Sequence, residues 1–160
     1  MRYYADHPDM KKEQEFYSIG GYSIGGVAIP IIDDKDQDRA GTTQPILFPW
    51  PSSRLSGNNR MDLRSLTADR RQAREVGYWL IKDAGLKLKS VPLELHLVLM
   101  PPDRRRRDDD NVFAAFKSYR DGMFRALELD DRLIRRTVIE WGDVMKGGGI
   151  YVRLTEMEKP

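Results

Sequence analysis

Residues 91–131 read VPLELHLVLMPPDRRRRDDDNVFAAFKSYRDGMFRALELDD. Leucine alternates with other side chains near the start of this stretch, which predicts a β-strand from Val91 to Met100. Two prolines end the strand, and the arginine run Arg104–Arg107 leads directly into three aspartates. Apolar residues then recur at helical spacing from Asn111 to Leu127, and the acidic pair Asp130-Asp131 follows. The stretch therefore predicts a strand, a charged loop and a helix with carboxylates at each end.

The alternation in the predicted strand indicates which residues are buried. The four leucines at odd-numbered positions share one face, and Glu94 and His96 lie on the other, so we expect one buried face. On this pattern His96 is a partly buried strand residue rather than a catalytic base.

Outside this stretch the signals are those of a small α+β protein. We predict further strands at 46–48, 137–141 and 150–154, a loop over 52–60, and a helix over 68–84 with Thr67 as its N-cap. Gly147, Gly148 and Gly149 fall in the turn between the last two strands. The expected fold is α+β, a single domain with one mixed β-sheet and two principal helices.

The first 44 residues differ in character from the remainder. Residues 1–44 hold five basic and eight acidic residues, whereas 45–160 carry a net charge of +5, which fits a polyanionic partner. The tandem repeat YSIGGYSIGG at 17–26 matches no dinucleotide-binding loop, so no organic cofactor is expected. We predict an N-terminal extension or arm at 1–44, β-rich or flexible, and the main domain at 45–160.

Composition restricts the possible chemistry and location. The 160 residues include no cysteine, and the two histidines, His7 and His96, lack ligand spacing, so any metal must be held by oxygen. The longest uncharged run, residues 16–32, is shorter than the roughly 20 residues that a membrane-spanning helix needs. With no signal-peptide pattern either, we expect a cytoplasmic protein without a membrane partner.

The acidic residues permit two interpretations. If packing of the helix on the sheet brings the start of the next strand back beside Asp108 and Asp110, carboxylates of Asp108, Asp110, Asp130 and Asp131 could hold Mg²⁺, or Mn²⁺ in its place, against a phosphodiester. Alternatively, Asp109 or Asp110 is the N-cap of a surface helix, and the aspartates pair with the neighbouring arginines. The candidate phosphate contacts are Arg104, Arg105, Arg106, Arg107, Asn59 and Arg60. Lys117 could reach back toward the acidic site or be an ordinary exposed lysine.

These motifs resemble the RusA family of Holliday junction resolvases. The resemblance rests on PPDRRRRDDDN at 101–111, the Leu-Asp-Asp sequence at 129–131, and PWPS at 49–52 with Asn59-Arg60, and it covers about residues 45–155. It implies a RusA-like homodimer that binds four-way DNA junctions and nicks two strands symmetrically with Mg²⁺. Asp108, Asp110 and Asp131 match the family's essential acidic positions, and Asn111 belongs to the same motif.

The sequence departs from the family pattern at two positions. Asp109 replaces an apolar residue, and Ala114 occupies the position of the family's functional lysine, with Lys117 three residues further along. Two other functions are therefore considered. One is a metal-dependent nuclease that prefers flaps or forks, and the other is a junction-binding protein without activity.

Overall fold

The computed structural model describes residues 17–19, 22–24, 41–55 and 63–158. The chain divides into two compact units, Met1–Ile32 and Asp33–Pro160. In the first unit, β1 (Tyr17–Ile19) pairs antiparallel with β2 (Tyr22–Ile24), with Tyr17 opposite Ile24. The two copies of the Tyr-Ser-Ile triplet thus form a short two-stranded sheet.

The second unit contains one four-stranded mixed sheet and two long helices. Its elements, in chain order, are β3 (Ile46–Pro49), a 3-10 turn (Ser53–Leu55), α1 (Leu63–Asp83), β4 (Leu93–Met100), α2 (Asp109–Leu127), a 3-10 turn (Asp131–Leu133), β5 (Ile134–Trp141) and β6 (Gly149–Glu156). The strand order is β3-β6-β4-β5, with β4 and β5 parallel and the other two pairs antiparallel. The predicted α+β fold is confirmed.

The leucine face of β4 lies in the core. Leu93, Leu95, Leu97 and Leu99 are fully buried, and full burial of each side chain contributes about 1.5–3 kcal/mol. Aromatic rings extend this core, since Phe48 on β3 meets Phe116 on α2 edge to face at 5.5 Å between ring centroids. The helix following the arginine run is therefore fixed to the sheet through its apolar stripe.

The expectation of a single buried face on β4 is wrong, because all eight of its residues are buried. On the second face, His96 Nδ1 lies 2.9 Å from Arg153 Nη2. Arginine can only donate, so Nδ1 is the acceptor and the ring proton resides on Nε2, which lies 3.4 Å from Glu140 Oε2. Glu94 is likewise paired, with Arg136 at 3.1 Å. These cross-strand partners allow polar residues to occupy a buried face.

The structure also revises several element boundaries. Helix α1 starts at Leu63, so Thr67 lies inside the helix and is not its N-cap. Helix α2 begins at Asp109 rather than at Asn111, and β5 begins at Ile134 rather than at Thr137. In the described part of the chain, no helix has the length and apolarity required to cross a bilayer.

Two glycines set the distance between the helices. A Cβ atom on Gly122 would overlap the carbonyl oxygen of Arg74, and one on Gly77 would overlap that of Tyr119. The backbones of α1 and α2 therefore approach closely where these residues face one another.

Candidate functional site

Residues 101–108, which join β4 to α2, form the arginine loop. Its conformation depends on Asp103, whose Oδ1 accepts a hydrogen bond from the Arg105 N–H at 2.8 Å and lies 2.8 Å from Arg107 Nη2. The Arg105 N–H is the main cause that lowers the pKa of Asp103 below its ordinary value of 3.8, and Arg107 lowers it further against an opposing desolvation effect. An ionised Asp103 thus organises the loop.

The four arginines of the loop have different environments. Arg107 donates through Nη1 to the carbonyl oxygens of Asp103 and Arg105, at 3.2 and 2.9 Å, and lies 5.5 Å over the Trp50 ring. Arg104, Arg105 and Arg106 are exposed, and among the described residues their side chains form no ion pair. Arg107 therefore holds the loop, while the other three present cations to solvent.

The three aspartates begin helix α2. Asp108 is the N-cap, with φ −96° and ψ 125°, and its Oδ1 accepts from the Asp110 N–H at 3.2 Å. Asp109 Oδ1 lies 3.1 Å from the same N–H. The structure corrects the expectation that Asp109 or Asp110 caps the helix, because both residues lie in the first helical turn. Carboxylates here are favoured by the partial positive charge of the helix N-terminus.

The second acidic pair follows the other end of α2. Glu128, in the left-handed conformation with φ 58°, ends the helix and redirects the chain. Asp130 then caps the 3-10 turn by accepting from the Arg132 N–H at 2.9 Å. Asp131 Oδ2 lies 3.4 Å from Arg120 Nη2. The 19 residues of α2, a length of about 28 Å, separate the two acidic pairs along the chain.

The structure does not bring the two acidic pairs together in one cluster. Among the described residues, no three histidine, aspartate or glutamate side chains lie close enough to hold a metal ion. Asp108 and Asp110, two residues apart and both exposed at the start of α2, still offer carboxylate oxygens. Mg²⁺ is commonly held by one or two carboxylates together with water and substrate phosphates, so this pair fits such an ion. Metal binding by Asp130 and Asp131 stays a prediction.

The remaining candidate residues have the following positions. Lys117 Nζ lies 2.9 Å from Asp121 Oδ1, so its ammonium is directed toward the C-terminal end of α2 and away from Asp110. Asn111 is exposed in the first turn of α2. Asn59 and Arg60 lie outside the described residues.

Two of these interactions were not predicted from the sequence. Asp103 and Arg107 are four residues apart, and this spacing could have suggested their ion pair. The contact between Arg120 and Asp131 crosses the end of a helix, so no local spacing rule indicates it.

Comparison with known proteins provides independent information on the family to which the chain belongs. No family model matches the chain. It is 33% identical over 119 residues to the crossover junction endodeoxyribonuclease RusA of Escherichia coli strain K12, a match covering 72% of this chain and 96% of that protein. The RusA of Shigella sonnei gives the same figures. An uncharacterised protein of Xylella fastidiosa is 36% identical over 117 residues, covering 70% of this chain and 76% of its own length.

The fold and the site together define an α+β protein in which a cationic loop and a carboxylate-capped helix follow a central strand. The match to RusA proteins spans nearly their whole length. The chain therefore belongs to the RusA family of crossover junction endodeoxyribonucleases.

Proposed function

We propose that the protein is an endodeoxyribonuclease that resolves four-way (Holliday) DNA junctions by paired symmetric nicks. It would act as a homodimer in the cytoplasm, in DNA recombination and repair. The observation that carries the proposal is the position of Asp108 and Asp110 at the start of α2, where only Arg107 separates them from three exposed arginines. A cationic surface beside exposed carboxylates suits an enzyme that must hold a phosphodiester and a divalent cation together. Family membership supports the same activity.

Each part of the site has a distinct proposed role. Arg104, Arg105 and Arg106 bind backbone phosphates and so position the DNA strand. Asp108 and Asp110 would hold Mg²⁺, with Mn²⁺ as a substitute. Metal binding by Asp131 and Asp130, which do not lie in one cluster with that pair, is proposed from the family pattern alone. Such an ion, when bound, supplies an activated water and stabilises the leaving oxygen of the phosphodiester. Asp108 also keeps the helix N-terminus in place through its bond to the Asp110 N–H.

A homodimer explains why two nicks would be paired. A two-fold axis relates identical surfaces, so two copies of the site face two strands of a symmetric junction. Each protomer would contribute its own arginine loop and its own aspartates.

A labelled four-way junction, incubated with the protein with and without Mg²⁺, tests the proposal. Paired nicks at symmetric positions in opposing strands, seen only with Mg²⁺, support it. Preferential cutting of flaps or forks would instead indicate a branched-DNA nuclease of broader specificity. A bandshift without any cleaved product would contradict nuclease activity.

One observation favours a second candidate function, that of a junction-binding protein without activity. Ala114 occupies the position one helical turn after Asp110, and Lys117, the nearby basic residue on α2, is paired with Asp121. In this structure no lysine side chain from 109–127 is directed toward the aspartates. A protein that lacks a lysine ammonium beside the aspartates would retain the arginine loop and with it the ability to bind DNA.

A further inference from the structure

An exposed tryptophan lies close to the base of the arginine loop. The side chain of Trp141 is 45% exposed, and its ring centroid lies 6.4 Å from that of Trp50, with the rings tilted by 41°. Arg107, the residue that holds the arginine loop, places its guanidinium carbon 5.5 Å from the Trp50 ring. We name these three residues the Trp141 patch, in which a partly exposed indole lies next to Trp50 and the cation of Arg107 that packs on it.

The backbone of the sheet fixes the position of the patch. Trp141 is the last residue of β5 and is paired with Leu99 near the end of β4. The Gly142 N–H donates to the Leu99 carbonyl oxygen at 2.9 Å, so the chain stays bound to β4 beyond Trp141. At Gly148 a Cβ atom would lie 2.9 Å from both Pro102 and Trp50, so glycine permits close packing against Trp50. The rings are thus held by ordered strand ends.

Single exposed apolar side chains are common on protein surfaces, so the surroundings of each one decide whether it suggests a ligand. The large apolar side chains exposed in the described part of the chain are Trp79, Trp141 and Val144. Trp79 packs edge to face with Tyr78 on α1, at 5.2 Å. Trp141 is the one joined through Trp50 and Arg107 to the arginine loop, where we place the DNA backbone.

The chemistry of this patch suits a nucleobase. An aromatic side chain stacks on the face of any base, whereas neighbouring cations bind the flanking phosphates. In duplex DNA the base faces are already covered by their neighbours, and they become accessible where strands part at a branch point. A stacking contact of this kind changes affinity by roughly tenfold for one base.

We propose that Trp141 stacks on an unpaired base at the branch point of the DNA substrate. Arg107 and Trp50 fix the position of the indole, and the exposed arginines hold the phosphates on either side. This inference rests on the proposed function, because it assumes a branched DNA substrate. It adds a residue that distinguishes branched DNA from a continuous duplex by the availability of a base face.

The test uses the full chain without divalent metal and a four-way junction carrying one unpaired 2-aminopurine at the branch point. Stacking quenches this base, so binding of the wild-type protein is expected to lower its fluorescence. Trp141→Ala is expected to lose the quenching and to bind the junction about tenfold more weakly, with affinity for a matched duplex unchanged. Trp141→Phe should restore most of the affinity. Trp79→Ala, which removes an exposed tryptophan elsewhere, should behave as the wild type.

The possible outcomes separate this inference from the function on which it rests. A wild-type protein that binds junction and duplex equally overturns the proposed junction specificity and this inference with it. A wild-type protein that prefers the junction but leaves 2-aminopurine fluorescence unchanged overturns the stacking role alone. Equal weakening of junction and duplex binding by Trp141→Ala also overturns it. A change from dimer to monomer in Trp141→Ala, measured by sedimentation, would assign the patch to a contact between copies and overturn it likewise.

Discussion

The guanidinium of Arg107 lies 2.8 Å from the Asp103 carboxylate, and this ion pair divides the arginine run into two parts. Arg107 is bound within its own loop and packs on Trp50, whereas the three preceding arginines are exposed. Side chains that already have partners in the protein have fewer donors left for phosphate. Within the run of four arginines, we therefore assign loop structure to Arg107 and DNA binding to the three that precede it.

This division predicts how Asp103 titrates. Its lowered pKa means that ionisation stabilises the folded loop at pH values above 3.8, and that this stabilisation is lost as the pH falls through the lower folded value. Arg107→Ala removes one cause of the lowered pKa. The pH midpoint of the Asp103 carboxyl signal, measured by NMR, should therefore move up toward 3.8. Arg106→Ala is the control and should leave the midpoint unchanged. An unaltered midpoint in Arg107→Ala would show that the ion pair does not act on Asp103.

The exposed arginines predict the salt dependence of DNA binding. Each Lys or Arg contact with a phosphate contributes about 0.9 to the slope of log affinity against log salt concentration. Replacement of Arg104, Arg105 and Arg106 by alanine should therefore reduce this slope by roughly two to three, as measured by fluorescence anisotropy. Lys87→Ala, an exposed cation in the loop before β4, should leave the slope unchanged. A triple variant with the wild-type slope would exclude these arginines as the phosphate contacts.

Strong periodicity explains which parts of the fold could be predicted from sequence. The leucine alternation of β4 and the apolar stripe of α2 each identified an element, because burial of one face imposes a regular spacing. The predicted start of α1 was wrong. Threonine is chemically suited to be an N-cap, but it is also tolerated inside a helix, where Thr67 lies. Local capping chemistry alone could not decide between these positions.

Interactions between distant segments could not be predicted. The second face of β4 is buried because Glu94 and His96 find arginine partners on β5 and β6, which no local pattern reveals. The predicted end of α2 at Leu127 is confirmed, but the left-handed conformation of Glu128, a position that glycine usually occupies, had no signal in the sequence. The sequence therefore supplied the charged groups that we propose for the site, but it did not reveal the pairing of Asp131 with Arg120.

The acidic residues of α2 predict a separation of binding from cleavage. Asp110→Asn keeps the shape of the side chain and removes its charge, so it should bind the four-way junction normally but cut it at least about a hundredfold more slowly. Asp109→Asn is a matched control in the same helical turn and should cut at the wild-type rate. Gel assays of binding and of cleavage measure both quantities. Full cutting by Asp110→Asn would remove this residue from the proposed site.

The exposed alanine one turn after Asp110 predicts a gain of activity. A lysine introduced by Ala114→Lys would lean toward the helix N-terminus, and hence toward Asp110, as helical side chains do. The ammonium of this lysine would stabilise charge or take part in proton transfer, so we expect cleavage of the junction to become about tenfold faster. Ala114→Gln has a long but neutral side chain and should have no such effect. Equal rates for the two variants would show that a lysine at this position does not contribute.

The contact between α1 and α2 predicts a reversal of the usual effect of glycine. In an exposed helix, replacement of glycine by alanine stabilises the protein by about 1 kcal/mol. At Gly122 the added methyl would overlap the Arg74 carbonyl oxygen, so the helices must separate, and we expect Gly122→Ala to lower the free energy of unfolding by about 1–3 kcal/mol. Ala114→Gly, on the exposed face of the same helix, is the reference, because it measures the ordinary difference in stability between alanine and glycine in a helix. Urea denaturation measures both variants, and stabilisation by Gly122→Ala would show that the helix backbones are not in close contact at this position.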